Sequence, residues 1–121
     1  MQAYGMALDL RDDPKLIARY RREHAQAWPE VVARLREVGV TEMRIFLLDR
    51  HMFMYCETRD GFDPAKHFAR SSDDPTYRKW DDLMRTMQER VDGAKPGEWW
   101  AMMEPVFDLN WPQHRPDAAR S

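Results

Sequence analysis

At 121 residues the chain is one domain's worth, long enough to bury one core but not two. Its 19 basic and 21 acidic residues are interspersed and leave a formal charge of −2, so nothing provides the electrostatic footprint that nucleic acid or an anionic membrane would need. A single Cys56 excludes an internal disulfide, and neither a signal-peptide pattern nor a bilayer-length apolar run is found, which together predict a cytoplasmic protein with no membrane partner.

Ala3 to Leu10 mixes small and apolar residues and predicts a first strand. The turn-prone Arg11-Asp12-Asp13-Pro14 then starts a helix, with Asp13 as N-cap and Pro14 at the first helical position. Lys15 to Val38 is helical by pattern, with Leu16, Ile17, Tyr20 and His24 on one side, Val31, Val32, Leu35 and Val38 further on, and Gly39 as C-cap. Pro29 disfavours helical geometry at Trp28, so the first helix ends between His24 and Trp28 and Pro29-Glu30 opens a second.

Met43 to Leu48 and Met52 to Glu57 read as antiparallel strands joined by a tight turn at Asp49-Arg50-His51. Asp63-Pro64 opens another helical region, interrupted from Ser71 to Pro75. It resumes from Thr76 to about Val91 with Tyr77, Trp80, Leu83, Met84 and Met87 on one face. Asp92 to Gly97 is a loop, Trp99 to Leu109 supplies a fourth strand, and 110–121 is a frayed, flexible tail.

The order β-α-β-β-α-β defines the fold class as α+β, a ferredoxin-like sandwich with both helical segments on one face of an antiparallel sheet. The other face is left open. Nine methionines and five tryptophans in so short a chain would give that face an apolar patch, which predicts a homodimer packed sheet against sheet.

Tyr20, His24 and Trp28 recur at a spacing of four, which stacks Tyr20 and His24 one turn apart on a helix face. His24 falls in the last turn, where the partial negative charge of the helix end favours the imidazolium and keeps a proton available for donation. Two readings stand for it: a cap bonded to helix carbonyls, or a group pointing into a cavity between helix and sheet. His51, His67 and His114 fall in a turn, an irregular segment and the tail, and read as solvated surface groups. No phosphate-binding glycine loop, nucleophile elbow, HExxH or CxxC motif is present, which predicts no cofactor and no metal.

Tyr20-Arg21-Arg22-Glu23-His24 with Trp28-Pro29-Glu30, the Gly39 break, the hairpin, Trp80-Asp81-Asp82-Leu83-Met84, and Glu104-Pro105-Val106-Phe107 together resemble the L-rhamnose mutarotase family. The similarity runs from about Tyr4 to Leu109, making 1–109 a single mutarotase domain. It implies a ferredoxin-like dimer of the dimeric α/β barrel type. It further implies interconversion of the α and β anomers of a monosaccharide without metal or cofactor, with His24 as proton donor and Tyr20 touching the sugar. Trp80 completes the implied site.

This chain departs from that pattern where rhamnose-type members have a tyrosine, here Met43, and a second tryptophan, here Asp81. A phenol and an indole are lost and a carboxylate is gained, which shifts the expected substrate toward another 6-deoxy-L-hexose such as L-fucose. Asp81 reads either as a sugar-binding or basic carboxylate or as an exposed helical charge. Trp99-Trp100 fits a subunit interface better than the pocket. Two other functions share the fold: a cofactor-independent oxygenase or haem-degrading enzyme, and a non-catalytic ligand-binding dimer.

Overall fold

The computed structural model describes residues 2–63 and 74–116. Strand β1 (Gln2–Leu10) leads into helix α1 (Pro14–Ala25), helix α2 (Pro29–Val38) and the hairpin β2 (Val40–Leu48) and β3 (His51–Thr58). Helix α3 (Pro75–Arg85), strands β4 (Gln88–Glu89) and β5 (Ala101–Met103) and a 3-10 turn at Pro112–His114 follow. The helical region predicted after Asp63, with His67, lies outside the described residues.

All pairings are antiparallel in the order β2-β3-β1-β4, and β5 joins β1 on the same edge as β4. The α+β ferredoxin-like arrangement is the one predicted. The helix starts also follow from the sequence. Asp13 accepts the Lys15 amide at 2.9 Å, and Asp74 accepts those of Thr76 and Tyr77 at 3.0 Å, each one residue before a proline that needs no amide partner. Trp28 sits extended at φ −60°, ψ 129°, as the following proline requires, and so separates α1 from α2. Gly39 closes α2 in the left-handed region at φ 116°, where a Cβ would also meet the Arg59 guanidinium at 2.9 Å.

The largest departures from the predicted boundaries come late in the chain. The last helix ends at Arg85 rather than near Val91: the Thr86 hydroxyl bonds back to Leu83 O at 2.6 Å, and Gln88–Glu89 pair with Leu10 and Asp9 of β1. Sheet pairing has overridden the helical propensity of Met87-Gln88-Glu89-Arg90. The predicted strand from Trp99 to Leu109 is confined to β5, while β4 comes from the end of the predicted helix; the two flank a loop at 90–100, and β5 stops at Met103 because Pro105 has no amide to give the ladder.

Alternation decides the two sheet faces. Met6, Leu8 and Leu10 of β1 and Met52, Met54, Cys56 and Thr58 of β3 are buried beneath the helices, meeting Tyr20, Val31, Trp80, Met84 and Met87. Burying a side chain such as Leu8 or Leu10 completely is worth about 1.5–3 kcal/mol. A bulge between Val40 and Glu42 changes the phase of β2 so that Val40, Met43 and Ile45 all serve this core side. On the opposite face Phe46 stacks on Phe53 at 6.2 Å, and Phe53 lies across Gly5, where a Cβ would come within 2.9 Å of its ring. Phe46, Leu48, Phe53 and Met103 are exposed there.

Candidate active site

A cavity of about 800 Å³ opens between the helices and the core side of the sheet. It lies in the size range of small-molecule sites. Helix α1 contributes Tyr20 and His24, β2 contributes Met43, α3 contributes Tyr77, Trp80 and Asp81, and β4 and the 90–100 loop contribute Gln88, Trp99 and Trp100. The five site residues read from the sequence, His24, Tyr20, Met43, Trp80 and Asp81, are therefore brought together on one lining.

The Tyr20 and His24 rings stack with centroids 4.1 Å apart, and Trp80 meets His24 in a T-shaped contact with centroids 5.2 Å apart. Trp28 backs Trp80 in turn at 5.2 Å. His24 Nδ1 lies 3.0 Å from the Tyr20 carbonyl oxygen. That oxygen can only accept, so Nδ1 carries the hydrogen and, in the neutral ring, Nε2 is left with a free lone pair. Both sequence readings of His24 thus hold at once: one nitrogen is bonded to a helix carbonyl, and the ring lines the cavity.

Burial holds His24 below the ordinary imidazole value of 6.5, outweighing the Tyr20 carbonyl and the Glu23 carboxylate, which favour the charged form. This reverses the sequence expectation. The helix-end field is real, but it falls off quickly and does not recover the hydration lost against Tyr20 and Trp80. Burial likewise pushes the phenols of Tyr20 and Tyr77 up to about 12, so both stay protonated at neutral pH.

Asp81 lines the cavity, yet its Oδ2 is held at 3.0 Å by Arg85 Nε one turn along the helix, and the Arg85 guanidinium lies 4.6 Å over the Trp99 ring. Trp99 and Trp100, for which the sequence favoured a subunit interface over the pocket, line the cavity. Gln88 escaped sequence reading because the helical pattern ran through it. It is buried, donates through Nε2 to the Tyr20 hydroxyl at 3.0 Å, and accepts from Trp99 Nε1 at 2.7 Å. A lone amide between Met84 and Met87 on one side and charged residues on the other was its only signal. Among the described residues no cluster of His, Cys, Asp or Glu is arranged to hold a metal, and no helix is long and apolar enough to cross a membrane.

The family model for L-rhamnose mutarotase matches residues 3–109. The chain belongs to the L-rhamnose mutarotase family. Its relatives include a UPF0734 protein of Dictyostelium discoideum, 40% identical over 114 residues and 91% of each chain. The L-fucose mutarotase of Xanthomonas campestris is 38% identical over 91% of this chain and 90% of its own, and the L-rhamnose mutarotase of Paraburkholderia xenovorans is 32% identical over 89% and 94%. Among solved structures, the L-rhamnose mutarotase of Formosa agariphila superposes with a TM-score of 0.66 at 20% identity over 91% of this chain and 100% of that one. The tetracenomycin F2 cyclase of Streptomyces glaucescens, a type-II polyketide cyclase, gives 0.60 at 16% identity over 93% and 100%. Both structural matches, at 20% and 16% identity, show a shared fold alone.

Proposed function

We propose that this protein is an aldose mutarotase acting on a 6-deoxy-L-hexose, with His24 as its catalytic group and Tyr20, Met43, Trp80 and Asp81 around the sugar. The observation that carries this reading is the pairing of a free imidazole lone pair with a protonated phenol in one cavity, in a chain of this family. His24 Nε2 takes the proton from the anomeric hydroxyl as the bond from C1 to the ring oxygen breaks. The imidazolium then gives the same proton to the ring oxygen, and Tyr20 donates a hydrogen bond where negative charge develops. Rotation about C1–C2 and the reverse sequence on the other carbonyl face yield the second anomer. The proton is returned, so nothing is consumed. His24 is thus a donor in the second half of a step that it opens as a base.

Apolar Met43 and the Asp81–Arg85 pair support L-fucose over L-rhamnose, since sugars that differ in hydroxyl orientation are told apart by which hydroxyls find partners. Saturation-transfer NMR on a panel of aldoses at anomeric equilibrium tests the function. Exchange enhanced for L-fucose more than for L-rhamnose is the expected result, and enhancement for neither sugar rejects the reading. Oxygen uptake or haem binding in the same samples would point to the oxygenase alternative.

The exposed face bearing Phe46, Leu48 and Phe53 supports a homodimer closed sheet against sheet, an isologous contact in which each patch covers its twin, and the lone free Cys56 fits a cytoplasmic setting. Light scattering is expected to read twice the chain mass of 14.5 kDa at micromolar concentration. A Phe46→Asp, Phe53→Asp double variant is expected to read the single mass.

A further inference from the structure

Gln88 and the 90–100 segment that ends in Trp99 form one continuous clasp. Gln88 leaves the sheet on β4, the chain makes its excursion through 90–100, and Trp99 returns its indole to the Gln88 side chain at 2.7 Å. The excursion is tied internally, with Arg90 bonded to the Glu98 and Lys95 carbonyls at 2.7 and 2.8 Å and Glu98 accepting the Lys95 and Met102 amides. It is a built wall of the cavity, and Gln88 is where it fastens.

The donor directions along this clasp are forced. An indole N–H can only donate, so the oxygen of the Gln88 amide must face Trp99 and its NH2 must face Tyr20. Tyr20 therefore receives a hydrogen bond from Gln88, and its own hydroxyl hydrogen is left over. Among the described residues no acceptor takes it. We infer that Gln88 is a positioning residue that sets the polarity of Tyr20, reserving its hydroxyl hydrogen for an acceptor oxygen of the bound sugar.

The inference rests on the mutarotase reading and assigns Gln88, 3% exposed in the cavity wall, a role that it exerts through Tyr20. A carboxylate at this position would accept from Trp99 and from Tyr20 alike. It would keep the shape and both contacts while turning the Tyr20 hydrogen away from the sugar.

The test is a comparison of Gln88→Glu in the native chain and in a Tyr20→Phe background, by exchange NMR at pH 8, with near-UV circular dichroism to establish the native fold. In the native background Gln88→Glu is expected to lower kcat by about 10²-fold, the loss typical of one misdirected donor, with less change in KM. On Tyr20→Phe it should change kcat less than about 3-fold, because the group it acts through is gone. Equal losses in both backgrounds would mean a structural role only and overturn the inference, as would full activity in folded Gln88→Glu. If the buried carboxylate prevents folding, Gln88→Met, which conserves volume and removes the donor, decides between the same outcomes with an expected loss of about 10-fold confined to the native background. Absence of exchange by the unaltered protein is a separate result: it rejects the mutarotase reading, and the inference falls with it.

Discussion

His24→Ala is expected to lower catalysed anomer exchange by about 10²- to 10⁴-fold, the range that one positioned acid–base group supplies, while leaving the protein folded. The fold survives because His24 is half-buried at the end of α1 and its polar bond runs to a carbonyl of its own helix. The pH profile separates this role from mere packing. With its folded value held below 6.5, the imidazole is neutral and able to accept a proton at 6.5 and above, so activity is expected to be level there and to fall only as the pH drops through that lower folded value. Stability follows the same group with the same sign. The unfolded chain takes up a proton near 6.5 while the folded chain resists it, so the folded state is at its full advantage above 6.5 and loses it on acidification. His24→Ala removes that part of the acid sensitivity. NMR exchange rates and urea midpoints from pH 5 to 8 measure both, and an activity in His24→Ala equal to the parent's would remove His24 from the mechanism.

The fold was legible where a local rule and a tertiary need agreed. Asp13-Pro14, Trp28-Pro29 and Gly39 each fix a helix boundary by chain chemistry alone, and the two apolar runs either side of Asp49-Arg50-His51 mark the hairpin. It was not legible after Arg85. There the choice between another helical turn and a strand depends on the free edge of β1, a partner more than seventy residues away in sequence, and no local preference reports it. The site followed the same division. Tyr20, His24 and Trp80 stand out by spacing on helices, whereas Gln88 joins the site only because β4 aligns it with Leu10. The charge state of His24 was misread for a related reason: the helix-end field is a property of sequence position, but desolvation depends on what packs over the ring.

Trp80→Ala carries the largest expected loss of stability in the site. The indole is 7% exposed and joins the main core cluster, with Trp28 on one side and His24 on the other, so truncation leaves a cavity that neither neighbour can collapse into without losing its own ring contact. Such large-to-small changes cost about 3–5 kcal/mol, against about 5–15 kcal/mol for a whole domain, and the variant is expected to melt well over 10 °C lower. Activity should fall with it even below the new melting temperature, because the Trp80 indole is one of two aromatic rings packed on His24. With that indole gone the imidazole is rehydrated, its ionisation moves back toward 6.5, and the acid limb of the pH profile moves up with it. Trp80→Phe keeps an aromatic edge and most of the volume, so it should recover the greater part of the stability and return the acid limb toward its original position. Calorimetry together with the pH dependence of exchange distinguishes the two effects. A Trp80→Ala protein that melts far lower yet keeps the parent's acid limb would show that Trp80 supports the core without tuning His24.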